Sequence, residues 1–393
     1  MNRFLKHKKK FNEIGKKYDV EPCGKYYIYY LYDRLKYKNS IDDFFSNKLY
    51  DKSISHQEYY ANLHTNIHKW SVVSKNFKSD ASLMWRIIHR IDYTISKVMY
   101  PGLDAMDYFR YEFYKIRHCE RKKFITEGEL VKLNRKFNSG IEAKKAEVIV
   151  SDKREFNRLF SDIVKRKWIA TDECTKEMFY SFCEGMDKII AKPLDGGAGI
   201  GIFVADVTDK KKIDDLYEKI KDDNYILEEI IVQDNTIRRL NPSSVNTARV
   251  YSVHYHGNTY ITGATLRIGS GEGPTDNYSR GGFAAEIDVN TGCVISKAVS
   301  QFGEGVYVHP KTGEQIIGIQ IPYWNEIKKV VKRAHERVPS LGYLGWDVVV
   351  CADNSITFLE VNTCAGVELQ QHPSKTGKKE IYLDILNDKV KHK

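Results

Sequence analysis

The stretch from Gly345 to Asn362 restricts the architecture more than any other part of the chain. It reads as two apolar, β-branched strands around Asp353-Asn354, a pair suited to a two-residue hairpin loop. Counting outward from that turn, Ala352 faces Ser355, Cys351 faces Ile356, and Asp347 faces Glu360 across the ladder. Asn362 lies two residues beyond Glu360 and so shares its face. Two carboxylates and an amide oxygen therefore meet at one end of an apolar hairpin, where facing carboxylates repel each other. A hard divalent cation removes that repulsion. Oxygen-only ligation suits Mg²⁺, which keeps some waters and shares its shell with phosphates. The plainer alternative is a hairpin whose two acids fray into solvent.

A chain of 393 residues is too long for one simple core, so two or three subdomains are expected. With 42% hydrophobic residues the composition is that of a soluble globular protein, and only 9 prolines argue against long disordered linkers. The sequence has no apolar run long enough to span a membrane, and its basic start lacks the apolar stretch of a signal peptide. Cys23, Cys119, Cys174, Cys183, Cys293, Cys351 and Cys364 are scattered, odd in number and without a Cys-x-x-Cys pair. That pattern predicts a reduced, cytoplasmic protein without a thiolate zinc site.

Charge is unevenly distributed. Residues 1–150 carry 30 Lys+Arg against 18 Asp+Glu, a net of +12, and the rest carry 32 against 34, a net of −2. The basic third also holds 15 of the 26 tyrosines. Such a region suits an anionic partner, whether nucleic acid, an acidic membrane surface or an anionic sugar; a merely solvated helical surface is the plainer reading. No helix-turn-helix, RNA-recognition or zinc signature accompanies the charge, which sets nucleic acid aside.

Residues 1–145 read as mainly helical. Met106, Phe109, Phe113 and Ile116 recur at helical spacing and predict one helix over 103–120. Thr126-x-x-Glu129 has the form of a capping box. From Ala146, short apolar runs (Val148-Ile149-Val150, Ile189-Ile190-Ala191, Tyr225-Ile226-Leu227) read as strands, alternating with amphipathic helices such as that of Ile213, Leu216, Tyr217 and Ile220. From Ala248 onward strands and hairpins dominate, interrupted by a helix marked by Ile327, Val330, Val331 and Ala334.

Strand Ile189-Ile190-Ala191 runs into Lys192-Pro193-Leu194-Asp195-Gly196-Gly197-Ala198-Gly199-Ile200-Gly201, and a second strand, Ile202-Phe203-Val204, follows. Chains without Cβ atoms bring their N–H groups close to phosphate oxygens. A Rossmann fingerprint would lead into a helix, and a Walker loop would place its lysine after the glycines. Here the order is strand, lysine, glycine stretch, strand; the plainer reading is a Gly-rich hairpin turn. Asp152-x-x-Glu155 caps a helix after the Val148–Val150 run and supplies a second lysine, Lys153. Tyr225-Ile226-Leu227-Glu228-Glu229-Ile230-Ile231 is a strand with an apolar exit, an edge on which an adenine can bond to backbone. Arg249 and Arg267 follow on successive strands, and Asp276-Asn277-Tyr278-Ser279-Arg280-Gly281-Gly282 forms a polar loop.

This order of parts resembles the ATP-grasp superfamily, and more narrowly the sugar-transfer-associated ATP-grasp family found with surface-polysaccharide genes. The narrower resemblance rests on Lys192-Pro193 with its glycines, Pro242-Ser243-Ser244-Val245-Asn246-Thr247-Ala248-Arg249, Arg267-Ile268-Gly269 with Asp276-Asn277, His309-Pro310-Lys311-Thr312-Gly313, Gly345-Trp346-Asp347 and Glu360-Val361-Asn362. It covers about residues 150–371. It implies an α+β ATP-grasp fold, two lobes clasping ATP over residues 146–232 and 233–393, behind the helical, basic region of residues 1–145. By the resemblance, Lys153 and Lys192 hold ATP phosphates under a flap of Gly196, Gly197 and Gly199. Glu228 and Ile231 meet the adenine through backbone, with Glu229 beside them. Asp347, Glu360 and Asn362 bind Mg²⁺; Arg249 and Arg267 steady the transferred phosphoryl group; Asn277 joins them as a catalytic residue; and Gln370 closes the site. The ribose contact has no clear match, and Gln233 or Asp234 could serve.

The implied activity is an ATP-dependent carboxylate–amine ligase acting through an acyl phosphate, with a sugar acid as substrate in surface-polysaccharide biosynthesis. Its partners would be a carboxylate, an amine and, peripherally, an anionic membrane or lipid-linked glycan. Two alternatives use the same residues differently: an ATP-grasp kinase that phosphorylates a sugar or small molecule, and a non-catalytic protein that binds anionic glycans.

Overall fold

The computed structural model describes residues 2–17, 70, 73–100, 102–194, 200–271, 273, 276–303 and 305–389. They fall into two compact units, Met1–Phe109 and Arg110–Lys393. In the first, helix α1 (Asn2–Lys17) buries Phe11 and Ile14. Helix α2 (Leu83–Met99) starts at Ser82, whose side chain accepts the Trp85 N–H. Tyr93 and Ser96 are its buried residues, and Trp70, Phe77, Trp85 and Tyr108 gather around Phe109.

The single helix expected over 103–120 is not formed. Ala105–Arg110 is helical, Phe113–Lys115 is one 3₁₀ turn, and His118–Arg121 is a further short helix, with Glu112 left-handed at φ 54° between the first two. The aromatic residues explain the break. Tyr111, Phe113 and Phe124 pack with ring centroids 4.9–6.0 Å apart. A continuous helix would set positions i and i+2 on different faces and pull Tyr111 and Phe113 apart.

In the second unit the Thr126–Glu129 capping box forms in full at the start of α3 (Glu127–Phe137). Residues Val148-Ile149-Val150, expected as a strand, instead finish helix α4 (Ile141–Ser151). Three consecutive apolar residues do not settle the period; Ala143, Ala146 and Val150 face the core at helical spacing, while Val148 and Ile149 are exposed. Asp152 then caps α5 (Lys153–Leu159) by accepting the N–H groups of Arg154 and Glu155, as the sequence predicts.

A four-stranded antiparallel sheet follows in the order β1 (Trp168–Ala170), β4 (Tyr225–Glu229), β2 (Lys188–Pro193), β3 (Phe203–Asp206). Helices α6 (Lys176–Cys183) and α7 (Lys210–Ile220) supply Phe179, Cys183, Leu216 and Ile220 to its core, against Ile189, Ala191 and Leu227. A second antiparallel sheet has the order β7 (Phe283–Glu286), β6 (Asn258–Ile268), β5 (Thr247–Tyr255), β8 (Tyr343–Val350), β9 (Ile356–Asn362). Helix α8 (Trp324–His335) joins one core of this sheet through Ile327, Val331 and Ala334. Two helices not foreseen from sequence, α9 (Glu368–Gln371) and α10 (Lys379–Leu386), bring Leu369, Tyr382 and Ile385 to Tyr251, Val253 and Tyr343. Strand β8 is buried along its whole length, which accounts for its apolar character on either side of Asp347.

The β8–β9 hairpin corrects the expected register near its turn and keeps it at its open end. Val350 faces Ile356, Val349 faces Thr357 and Val348 faces Phe358, one residue out of step with a two-residue loop. The Cys351 N–H donates to the Ser355 carbonyl, so Cys351 opposes Ser355 and not Ile356, and Ala352 belongs to the loop. Asn354 takes the left-handed conformation at φ 69°, which asparagine tolerates and which turns the longer loop. A β-bulge between Asp347 and Val348 then absorbs Leu359, and Asp347 faces Glu360 as the sequence predicts.

Candidate active site

A cavity of about 240 Å³ lies in the second unit, bounded by residues of both sheets. Its apolar wall includes Ile190, Ile202, Val204, Ile231, Val245 and Leu359; its charged wall includes Lys153, Lys192, Glu228, Arg267, Asp347 and Glu360.

The charged wall follows from strand register. Arg249 on β5 faces Asp347 on β8, which faces Glu360 on β9, so one cation and two acids form a row across three strands. Arg249 donates from Nε to Asp347 Oδ1 and from Nη2 to Oδ2 at 2.9 Å. Arg267, on the next strand out, reaches Asp347 Oδ2 through Nη1 at 2.8 Å and Asp276 Oδ1 through Nη2 at 2.8 Å. Its Nε is buried without an acceptor among the described residues. Burial raises the Asp347 carboxyl, but the two guanidiniums outweigh it and hold the pKa down at about 2. Burial also raises Asp276, which Arg267 and the Thr247 donors only partly offset.

Glu360 differs from Asp347. It reaches solvent at the cavity, and Asn362 Nδ2 donates to its Oε1 at 3.3 Å. The surrounding protein first, and the neighbouring Asp347 carboxylate second, raise its carboxyl above the usual value. Among the described residues no three His, Cys, Asp or Glu side chains stand together at metal-ligating spacing. The available donor set is Asp347, Glu360 and Asn362, all oxygen, with Asp347 already bound by two arginines. Hard oxygen donors beside an acid–acid repulsion fit Mg²⁺, with Glu360 and Asn362 the more open ligands.

On the first sheet, Glu228 is 2% exposed and bound from two sides: Arg166 Nη2 donates to Oε1 at 2.8 Å and Lys192 Nζ to Oε2 at 2.5 Å. Burial opposes its ionisation; Arg166 and Lys192 overcome that and keep the carboxyl well below the usual range. Arg166 also donates from Nη1 to the Phe358 carbonyl at 2.6 Å, beside the β9 bulge, and so links the two sheets. Lys153 Nζ donates to the carbonyls of Pro193 and Leu194 at 2.9 and 3.0 Å, at the start of the glycine stretch. Burial lowers its pKa, and Lys192 adds to that, while Glu360 and Glu228 act against it.

Beyond β4 the chain leaves the ladder. Glu229 Oε2 accepts the Lys167 N–H at 3.1 Å, and Ile230 and Ile231 line the cavity, Ile231 beyond the end of the ladder. Asn277 also borders the cavity; its Oδ1 accepts from Ser279 N and Oγ at 3.0 and 2.8 Å. Gly196, Gly197 and Gly199 lie outside the described residues. Gln233 lines the cavity, but its amide is paired with both main-chain groups of Asn246, and Asp234 caps the short helix Asn235–Arg238. Gln370 does not border the cavity: it is buried against Tyr382 and Gly263.

Sequence reasoning missed Arg166, Arg238 and the structural parts played by Thr247 and Asp276. Asp276 and Thr247 belong to the polar stretches Asp276–Gly282 and Pro242–Arg249; Arg238, on the short helix after the apolar exit, borders the cavity with no motif around it. Arg166 sits in a basic run before β1 whose sequence does not distinguish it from Lys165 or Lys167.

Comparison with solved structures returns ATP-grasp ligases at low identity. The ATP-grasp ligase PsnB, in complex with a phosphomimetic variant of its minimal precursor, Mg and ADP, aligns at TM-score 0.39 and 15% identity over 67% of this chain. The chain spans 65% of that ligase's length. N5-carboxyaminoimidazole ribonucleotide synthetase from Thermotoga maritima aligns at TM-score 0.35 and 12% identity, over 60% of this chain and 48% of its own. The D-alanine–D-alanine ligase from Coxiella burnetii aligns at 0.37 and 11%, over 62% and 58%. Among curated proteins none matches. The family signature described as sugar-transfer associated ATP-grasp spans residues 132–381, which takes in both sheets and every described residue of the cavity, and on that match the chain belongs to this family.

Proposed function

We propose that the protein is an ATP- and Mg²⁺-dependent, cytoplasmic ligase that joins an amine to a carboxylate through an acyl phosphate. The observation that carries this reading is the cavity that sets Lys153 of α5 and Lys192 of one sheet against Arg267, Asp347 and Glu360 of the other, beside an apolar wall. A nucleotide suits that division: base against the apolar residues, phosphates against the cations. In this reading the lobes are residues 146–232 and 233–393. Glu228, Glu229 and Ile231 meet the adenine, with Ile231 supplying main-chain groups from beyond the end of the ladder. Gly196, Gly197 and Gly199 close over the phosphates. Glu360 and Asn362, with Asp347, would hold Mg²⁺, which supplies neutralisation of phosphate charge when bound.

The chemistry then needs positioning more than a protein nucleophile. A carboxylate oxygen attacks the γ-phosphorus; the bond to the β-phosphate oxygen breaks and ADP leaves. The amine nitrogen attacks the acyl carbon, the carbon–oxygen bond to phosphate breaks, phosphate leaves and the nitrogen gives up its proton. Arg267, which lines the cavity, offers its guanidinium to the transferred group; Asp347 and Asp276 hold it in place, Arg249 fixes Asp347 in turn, and Asn277 shapes the adjoining loop. The family's association with sugar transfer supports a sugar acid as the carboxylate and a role in surface-polysaccharide assembly.

Hydroxylamine tests the reading. Uronic acids are screened for ADP release with Mg²⁺, ATP and hydroxylamine and no other amine; the acid that supports turnover should yield hydroxamate and ADP in step. A phosphorylated sugar and no hydroxamate would make the protein a kinase instead.

A further inference from the structure

Helix α2 in the first unit is amphipathic the wrong way round for a buried helix. Its packed side is aromatic and polar: Tyr93 lies 5.4 Å from Tyr108 between ring centroids, Trp85 6.4 Å from Phe109, and Ser96 is fully buried. Its aliphatic residues point outward. Leu83 is 75% exposed, Met84 65%, Ile87 47%, Ile88 54% and Ile91 58%. At 100° per residue these five fall within an arc of roughly 140°. Soluble proteins rarely expose a contiguous apolar face of this size without an occupant.

The charges beside this face identify the occupant. Arg86, Arg90 and Lys97 run along one flank of the aliphatic arc. Arg90 is exposed, and Arg86 and Lys97 are fixed in place by bonds to main-chain carbonyls. In the same unit α1 carries Lys6, Lys9 and Lys10, all exposed. Residues 1–109 carry 19 Lys+Arg against 12 Asp+Glu, a net charge of +7. Helix α2 has 17 residues with four charges among them, and no described helix is long and apolar enough to cross a membrane. An aliphatic face with a basic flank on a non-spanning helix is the design of a helix that lies in the headgroup layer of an anionic bilayer.

We propose that the outward face of α2, through Leu83, Met84, Ile87, Ile88 and Ile91 with Arg90 at its edge, docks the protein on an anionic lipid surface. This goes beyond the ligase reading and does not depend on it.

The test uses the full chain and flotation with vesicles of phosphatidylcholine alone or mixed with phosphatidylglycerol. Wild type should float with the mixed vesicles, less so as salt is raised, and remain free of pure phosphatidylcholine. The triple variant Ile87→Gln/Ile88→Gln/Ile91→Gln changes only exposed positions, so its thermal midpoint should match wild type while its vesicle affinity falls at least ~100-fold. Arg90→Gln should cost about fivefold at low salt and nothing at high salt. Failure of wild type to float with phosphatidylglycerol overturns the proposal. So does equal flotation of the folded triple variant. Light scattering that shows a dimer broken by the triple variant, with no flotation, would assign the face to a second copy of the chain and also overturn it.

Discussion

Glu228→Gln tests the buried charge cluster beneath the cavity. The substitution keeps the shape of the side chain and removes its charge, so Arg166 and Lys192 face each other with no counter-ion. Breaking a buried ion pair by neutralising one partner costs ~3–5 kcal/mol. The remaining amide oxygen still accepts one hydrogen bond, so the lower end, about 3 kcal/mol, is expected. For a unit as long as Arg110–Lys393, one kcal/mol moves the midpoint by ~2 °C, so a fall of about 6 °C follows. Adding Lys192→Met restores the original charge balance and should recover about half of the loss. The pH dependence carries a definite sign. Glu228 has a folded pKa held well below its unfolded value of about 4.3, so its stabilisation is complete above that value and is lost as pH falls toward the folded pKa. The gap between wild type and Glu228→Gln, measured by differential scanning calorimetry, should be constant from pH 8 to about 5 and narrow below that. A midpoint within about 1 °C of wild type at pH 7 would show that Arg166 and Lys192 do not depend on Glu228 in solution, and the argument would fail.

Lys192→Ala should weaken ADP and ATP alike by roughly 10–100-fold in calorimetry, with little loss of stability because Arg166 still balances Glu228. Glu360→Gln should reduce ligase turnover by at least ~100-fold while the metal-free thermal midpoint holds or rises by up to ~2 °C, since a cross-strand repulsion with Asp347 is removed. His335, buried between Ser252 and the Leu341 carbonyl, has its pKa lowered to about 4, chiefly by burial. The unfolded chain therefore binds the extra proton first, and stability should drop as pH falls from about 6.5 toward 4; in His335→Gln, thermal melts should show a flatter slope over that window. Melts of equal slope would mean that His335 is protonated in the folded protein.

What could be read from the sequence was what lies in contiguous residues. The capping groups Thr126 and Asp152 and the helix of Ile327, Val331 and Ala334 depend on local spacing, and all are present; Asp347 opposes Glu360 as counted only because the bulge at Leu359 offsets a loop one residue longer than expected. Contacts between distant segments were not legible. Arg166 acquires its place from Glu228, 62 residues away, and from the Phe358 carbonyl, 192 away. Short apolar runs were ambiguous for a physical reason: Val148-Ile149-Val150 fits a strand as well as the last turn of a helix until Ala143 and Ala146 are seen to share the core with Val150. The break at Glu112 likewise answers to Phe124, which no count within 103–120 includes. Gln370 was placed by analogy and belongs to the packing around Tyr382.

The extra residue in β9 decides where the cavity changes character. In an unbroken strand Leu359 and Glu360 would project to opposite sides of the sheet. Because Leu359 is taken up in the bulge, both border the cavity, one on its apolar wall and one on its charged wall. The frontier between the two environments is thus one peptide wide and belongs to the backbone. Deleting Leu359 would leave a regular ladder with each cross-strand partner unchanged, Asp347 still opposite Glu360. The acid would keep its address and lose its greasy neighbour. Side-chain substitution cannot make that separation, because it changes the surface of the frontier without moving it.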